Sequence, residues 1–462
     1  MEYRVSSYLL DAPLEATGGE KHMILHGYTG AIDIIDNKVA TFLNSHTSFS
    51  KDEIDISEDT FNLLLKRGYI TDKTAPQERD LVRRLAELLH KDVKRRPSSF
   101  IFMVTYDCNF RCPYCYEGGI SGNGRHWSKK TFTRELVDRA YQAMSEIAPD
   151  SKDGYNVITL YGGEPLLKEN VDIVTYIIRK GHDMGYVFDA ITNGYDLDCY
   201  KDVLPSGAIR HLQITLDGAR EMHDSRRFHY LTHKSFDKIF QNIKLALANN
   251  IKVGIRFNAD ANNFKEIKKL EHMFEEAGYS KSKLFSFNTA MLNNDNEDND
   301  RTDISYVSRE KFNRMYVEMG LDIPHQDYGL YSKIITAIKN KTCIKFHSIF
   351  CGVQSGSYIL DPYGDIYTCW ETVGKTEYVL GKYTPSIEWN DRVKNWQGRN
   401  IGNTPKCSCC KYALLCGGGC LAKALKHKGN FKASYCDGYN DIFRLSANRA
   451  YNSAIKYGII NI

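Results

Sequence analysis

Between Phe100 and Phe287, six apolar runs with strand character alternate with helical segments. The strands are Phe100–Thr105, Asn156–Tyr161, Val187–Thr192, His211–Leu216, Lys252–Asn258 and Lys283–Phe287; the helices include Ser128–Ile147, Glu169–Met184 and Ser235–Ala248. A strand followed by a helix and another strand rejoins the same sheet by crossing over its face, so the alternation predicts a parallel sheet with right-handed crossovers. Six units fall short of the eight that close a complete barrel. The expected fold is α/β, a partial (β/α)6 TIM-type barrel over residues 98–340, whose open side admits something extended such as a peptide.

The flanks differ from this core. Residues 1–97 read as an α+β module: a strand at His22–His26, a helical period through Ile32, Ile35, Val39, Phe42 and Leu43, a helix Glu58–Arg67 stopped by Gly68, a strand beginning at Tyr69–Ile70, and a charged helix Glu78–His90. On pattern alone it is either a stabilising cap or a binding module. The acidic, Asn-rich stretch Asn293–Asp303 has no periodicity and reads as a solvated loop or flap. Residues 341–462 are rich in Cys and Gly, with little periodicity, which suits a fold nucleated by metal more than one held by an apolar core.

The 61 basic and 57 acidic residues nearly balance, at a formal net charge of +4, which leaves no electrostatic footprint for nucleic acid. No apolar run approaches the ~18 residues of a membrane span, and Met1 is followed by the polar Glu2-Tyr3-Arg4. The expectation is a cytoplasmic protein without a nucleic-acid or membrane partner. In that reducing setting the thirteen cysteines, with a C-x-x-C pair at Cys112/Cys115 and another at Cys407/Cys410, read as metal ligands and not as disulfides.

Cys108, Cys112 and Cys115 stand at C-x3-C-x2-C directly after the first barrel strand. Three thiolates leave one iron of a [4Fe–4S] cluster without a protein ligand, and an open coordination position is a reaction site. Structural zinc is the alternative, but it takes four ligands and no fourth Cys or His lies nearby in the sequence. With the aromatic Tyr114 before the last cysteine, the motif resembles the signature of the radical S-adenosylmethionine superfamily. The resemblance implies that S-adenosyl-L-methionine chelates the open iron. Its one-electron cleavage then gives a 5′-deoxyadenosyl radical that takes a hydrogen atom from the substrate. Tyr114 is expected beside the adenine.

Other matches fall at strand ends, the face on which parallel barrels build their sites. Gly162-Gly163-Glu164-Pro165 follows the second strand; the resemblance assigns it to the methionyl amine, although such a run is also an ordinary turn. Asn193 ends the third strand, Asp217 the fourth, and Arg256 with Asn258 the fifth. The resemblance makes these contacts to the ribose and carboxylate of the cosubstrate, with an ion-pair role as the alternative for Arg256.

The C-terminal cysteines Cys351, Cys369, Cys407, Cys410, Cys416, Cys420 and Cys436 resemble the SPASM extension of radical enzymes that modify peptides and proteins. Carried over, Cys407, Cys410, Cys416 and Cys436 hold one auxiliary [4Fe–4S] cluster and Cys351, Cys369 and Cys420 another. Cys343 stands where some members have a further ligand; the alternative is a buried structural thiol. Cys199 and Cys409 lie outside the pattern. The N-terminal module resembles the small winged-helix-like domains that bind leader peptides by strand addition.

These resemblances imply a maturase with three [4Fe–4S] clusters and S-adenosyl-L-methionine. It would act on a ribosomally made precursor peptide with a leader, with an electron donor such as flavodoxin or ferredoxin, and form a thioether or carbon–carbon cross-link. Two alternatives remain. One is an anaerobic sulfatase-maturing enzyme, from which Trp370 after Cys369 departs, because that group commonly has Asp there. The other is a zinc-stabilised scaffold without catalysis. Tyr161, Asp365 and Glu371 lie near proposed ligands, with no role assigned.

Overall fold

The computed structural model describes residues 2–51, 55–117, 125–292, 304–321 and 326–460. The stretch Asn293–Asp303 lies outside the described residues. Two compact units divide the chain: one holds residues 96–325 and 355–397, the other residues 1–95, 326–354 and 398–462.

The strands in chain order are β1 Glu2–Val5, β2 Leu9–Pro13, β3 Lys21–His26, β4 Ile32–Asp36, β5 Ser48–Ser50, β6 Ile70–Thr71, β7 Ser99–Met103, β8 Val157–Tyr161, β9 Val187–Thr192, β10 Ile209–Thr215, β11 Lys252–Ala259, β12 Phe285–Met291, β13 Ser357–Leu360, β14 Asp365–Tyr367, β15 Gly381–Lys382 and β16 Glu388–Trp389. In the first unit β7 to β12 form a parallel sheet in sequential order, as the alternation predicts, and the chain has the partial TIM-type core. The sheet does not end at β7. β13 adds to it in parallel, pairing Ser357 with Ser99 and Leu360 with Phe102, and β14 to β16 continue antiparallel.

Val, Ile, Leu and Phe from these strands are buried against the crossover helices in one apolar cluster, so the parallel strands are covered as such sheets require. The helix expected from Ser128 begins instead at Arg134, because the Thr133 hydroxyl accepts the Leu136 amide and fixes the start there. Ser128 ends a separate short helix, Arg125–Ser128. Its carbonyl accepts the Tyr106 amide and the Thr105 hydroxyl, which ties down the exit of β7.

In the second unit β5-β1-β6 and β2-β3-β4 form two small antiparallel sheets. The helical period read from Ile32 is divided: Ile32 and Ile35 belong to β4, paired with β3, and the helix starts at Asn37 because Asp36 caps the Val39 amide. The helix Glu58–Arg67 stops at Gly68, whose φ of 91° is the left-handed conformation glycine tolerates. The C-terminal chain has more apolar core than its composition suggested. The 18-residue helix Tyr439–Lys456 buries Ile442, Phe443, Ala447 and Tyr451 against Leu330 and Ile334 of the helix Leu330–Asn340 and against Leu10, Met23 and Leu25 of the β2-β3-β4 sheet. Among the described residues no helix is long and apolar enough to cross a membrane.

Candidate active site

A cleft of about 370 Å³ opens at the C-terminal ends of β7 to β12. Cys108, Cys112, Tyr114 and Cys115 line it after β7, Gly162, Gly163 and Glu164 after β8, Asn193 after β9, and Arg256 and Asn258 from β11. Residues scattered over 150 positions of sequence thus share one concave surface.

The cysteine loop is fixed from below. Gly163 N–H bonds to Thr105 O at 2.9 Å and Glu164 N–H to Asp107 O at 2.8 Å. A Cβ on Gly162 would overlap the Thr105 carbonyl oxygen, and one on Gly163 that of Asp107. The two glycines therefore let the second loop lie against the cysteine loop, a structural demand apart from any ligand. Asn193 Nδ2 donates to Asn109 Oδ1 at 2.7 Å, and Asn109 Nδ2 to Asp196 Oδ2 at 3.0 Å, which joins the third loop to the same cysteines.

Glu164 is buried. Its Oε1 accepts the Thr192 hydroxyl (2.5 Å) and the Leu166 amide (2.9 Å), and its Oε2 the Asn193 amide (2.6 Å). A carboxylate has about four acceptor directions, so one remains for a ligand ammonium. Burial, opposed by these donors, pushes its carboxyl up to about 7. Asp217 is fully buried and stands behind the cleft wall: Oδ2 accepts the Tyr114 hydroxyl, and Oδ1 the Asn258 amide at 3.1 Å. Pro165 is likewise buried next to Glu164. Arg227 Nη1 at 2.7 Å and Asn258 Nδ2 at 3.3 Å also donate to the Tyr114 oxygen, and Arg256 Nε donates to Asn258 Oδ1 at 2.9 Å. Tyr114 is held as a rigid plate at the centre of this network.

Sequence reasoning missed Arg227, Tyr116 and Glu117, named Trp370 only as a departure from the sulfatase-maturing pattern, and left Tyr161 and Glu371 without a role; all line the cleft. Tyr116 stacks near Tyr161 with centroids 6.4 Å apart, and Trp370 lies 6.0 Å from Tyr161, so one wall is aromatic. Glu117 accepts the Tyr116 hydroxyl at 2.7 Å, and burial pushes its carboxyl up to about 7. Asp365 does not line the cleft; it pairs with Lys382. Tyr116 and Glu117 directly follow Cys115, and Trp370 and Glu371 follow Cys369, which was the available signal. Arg227 follows a short helix, Arg220–Arg226, that carries no motif.

The donor set fits an iron–sulfur cluster. Burial raises all three thiols; for Cys115 it does so to about 12, with the charges of Glu117 and Cys112 adding to it, and Cys112 acts on Cys108 in the same way. Half-buried thiols raised in this way keep their protons unless a cation takes them as thiolates. The Phe110 amide donates to Cys108 Sγ at 3.3 Å, an N–H aimed at sulfur of the kind clusters use. Among the described residues no three His, Cys, Asp or Glu side chains gather as tightly as a single metal ion requires. A four-iron cluster, which takes its thiolates at separate corners, does not need that convergence.

In the other unit, burial pushes the Cys407 thiol up to about 12. Arg399 opposes this, and the charges of Cys416, Cys410 and Cys436 add to it. Cys351, raised by burial to about 11, is influenced in turn by Cys420. Cys343 is exposed, which excludes the buried-thiol alternative, and Cys199 and Cys409 are exposed as well.

Residues 102–277 match the sequence family described as the Radical SAM superfamily. The chain is 32% identical over 169 residues to GTP 3′,8-cyclase of Rhizobium etli, covering 35% of this chain and 43% of that enzyme, so it spans under half that relative's length. It is 23% identical over 371 residues to the cysteine-type anaerobic sulfatase-maturating enzyme of Clostridium novyi, 74% of this chain and 91% of that one. Among solved structures, native anSMEcpe with bound AdoMet and Cp18Cys peptide aligns with a TM-score of 0.57 at 16% identity, over 78% of this chain and 99% of that chain. Streptococcus suis SuiB bound to precursor peptide SuiA aligns with a TM-score of 0.50 at 12% identity, over 94% and 98%. At these identities the two structures speak to the fold.

Proposed function

We propose that this chain, which carries a radical SAM domain over residues 102–277, is an enzyme that modifies a ribosomally made precursor peptide by forming a thioether or carbon–carbon cross-link. The observation that carries the reading is the single cleft shared by Cys108, Cys112 and Cys115, the Glu164 loop and the ends of β9 and β11. A [4Fe–4S] cluster held there by Cys108, Cys112 and Cys115, with S-adenosyl-L-methionine, would supply one-electron chemistry and hydrogen-atom abstraction. Glu164 offers its remaining acceptor direction to the methionyl amine, Asn193, Arg256 and Asn258 offer polar contacts to ribose and carboxylate, and Tyr114 supports the adenine. Tyr116, Tyr161 and Trp370 give the cleft one aromatic wall.

On this reading residues 1–97 bind the leader, residues 98–340 form the radical domain and residues 341–462 the SPASM domain. Cys407, Cys410, Cys416 and Cys436 hold one auxiliary cluster, and Cys351, Cys369 and Cys420, with Cys343, the other. A flavodoxin or ferredoxin would supply the electron for cleavage of S-adenosyl-L-methionine, and the auxiliary clusters would accept the electron that leaves the peptide, with loss of a proton, as the new bond closes. Sulfatase maturation is the second reading, favoured by the likeness along 91% of the Clostridium novyi enzyme and weakened by Trp370 in place of the usual Asp.

Anaerobic reconstitution should give about twelve irons per chain, from three four-iron clusters. Reduced protein should then release 5′-deoxyadenosine from S-adenosyl-L-methionine, and replacing Cys108, Cys112 and Cys115 with Ala should abolish release and remove about four irons. Mass spectrometry of a precursor peptide encoded beside the gene should show loss of two hydrogens and a new internal bond. Zinc in place of iron, or no 5′-deoxyadenosine even with that peptide, would overturn the proposal; conversion of a sulfatase peptide instead would favour the second reading.

A further inference from the structure

Arg399 is 3% exposed, yet among the described residues it forms no ion pair with a carboxylate. Its Nη2 donates to Gly418 O and Ala433 O at 2.8 Å each, its Nη1 to Gly419 O at 3.3 Å, and its Nε has no hydrogen-bond partner. Gly418 and Gly419 lie between Cys416 and Cys420, and a Cβ on Gly418 would stand 3.3 Å from the guanidinium, so the side chain rests directly on that loop. The charges that act on it most are the thiols of Cys407, Cys416, Cys420 and Cys351. The first two belong to one proposed auxiliary set and the last two to the other. Three neutral carbonyls do not neutralise a buried guanidinium, whose desolvation costs several kcal/mol unless an anion accompanies it.

A four-iron cluster in its oxidised resting form has two positive charges against four thiolates, a net of minus two, and reduction makes it minus three. We propose that Arg399 is the fixed positive charge beside the auxiliary cluster of Cys407, Cys410, Cys416 and Cys436, with Nε left for a cluster sulfur, and that it raises the reduction potential there. The inference rests on the cluster assignment under the proposed function. Lys333, also near Cys416, is the weaker candidate: burial brings its amine down to about 8, and it bonds to His347 at 3.0 Å. Arginine keeps its proton at any pH of interest.

The test uses the full chain with Cys108, Cys112 and Cys115 replaced by Ala, reconstituted anaerobically so that only auxiliary iron is present, at about eight irons. In this background Arg399→Gln and Arg399→Lys are compared with the parent by iron assay and by reductive titration followed by electron paramagnetic resonance. With iron retained, Arg399→Gln should lower the reduction equilibrium constant at least about tenfold, a midpoint about 59 mV more negative, and Arg399→Lys should recover part of the shift. Loss of auxiliary iron in Arg399→Gln but not in Arg399→Lys would also support a role for the charge. An iron-replete Arg399→Gln with an unchanged midpoint, or equal iron loss in both variants, overturns the role of Arg399 alone. A parent that takes up no auxiliary iron overturns the cluster assignment together with it.

Discussion

At the scale of single residues, the buried carboxylate Glu164 couples the second and third loops of the cleft. Glu164→Gln keeps the shape but removes the charge offered to a ligand amine. A hydrogen bond to a charged group contributes roughly 1.5–3 kcal/mol, so S-adenosyl-L-methionine should bind at least about tenfold more weakly, read by equilibrium dialysis at unchanged iron content. His26 supplies a prediction about pH. Burial lowers its imidazole from the usual 6.5 to about 4, against the opposing charge of Glu78, while Nε2 bonds to Ser6 and Nδ1 accepts the Thr29 amide. Between those two values the unfolded chain binds a proton that the folded one refuses, so stability is full above about 6.5 and falls as pH drops toward 4. At pH 5 the loss is about 2 kcal/mol, and His26→Gln should narrow the gap between denaturant melts at pH 7 and pH 5 by that amount. Cys108, Cys112, Cys115, Glu164 and Tyr114, which line one cleft, could be picked out in sequence because they stand in short motifs at strand ends. Arg227 could not, because it reaches Tyr114 from 113 positions away and no local pattern encodes that meeting.

At the scale of elements, the alternation placed all six parallel strands, with β9 matching residue for residue and the others shifted at their ends. Ends were harder because they depend on caps. The helix Arg134–Ile147 starts where the Thr133 hydroxyl bonds to Leu136, and Thr133→Ala should cost about 1 kcal/mol in a denaturant melt without changing the iron content. Ile32 and Ile35 fit a helical period as well as a strand, and pairing with β3 decides in favour of the strand. The strands β13 to β16 were not foreseen, since each is four residues or fewer and carries too little pattern to stand out from the cysteine-rich background.

At the scale of the whole molecule, one compact unit is assembled from three separate lengths of chain, residues 1–95, 326–354 and 398–462. Leu10, Leu14, Met23 and Leu25 from the first share an apolar cluster with the helices Leu330–Asn340 and Tyr439–Lys456 from the others. Burying four such side chains contributes on the order of 6–12 kcal/mol, comparable with the net stability of a whole domain. Deleting residues 1–95 should therefore leave a protein that aggregates on expression, read by size-exclusion chromatography; a monomeric, iron-binding remainder would show that this unit folds without its first segment. The pairing of β7 with β13 has a consequence in time. Roughly 250 residues separate Met103 from Ser357, and at about 5–20 residues per second the ribosome needs some 13–50 s to make them. Throughout that interval β7, the strand that leads into Cys108, has a bare edge open to pairing with other chains. A cell that makes this protein quickly must either shield that edge with a chaperone or lose part of each batch to aggregation.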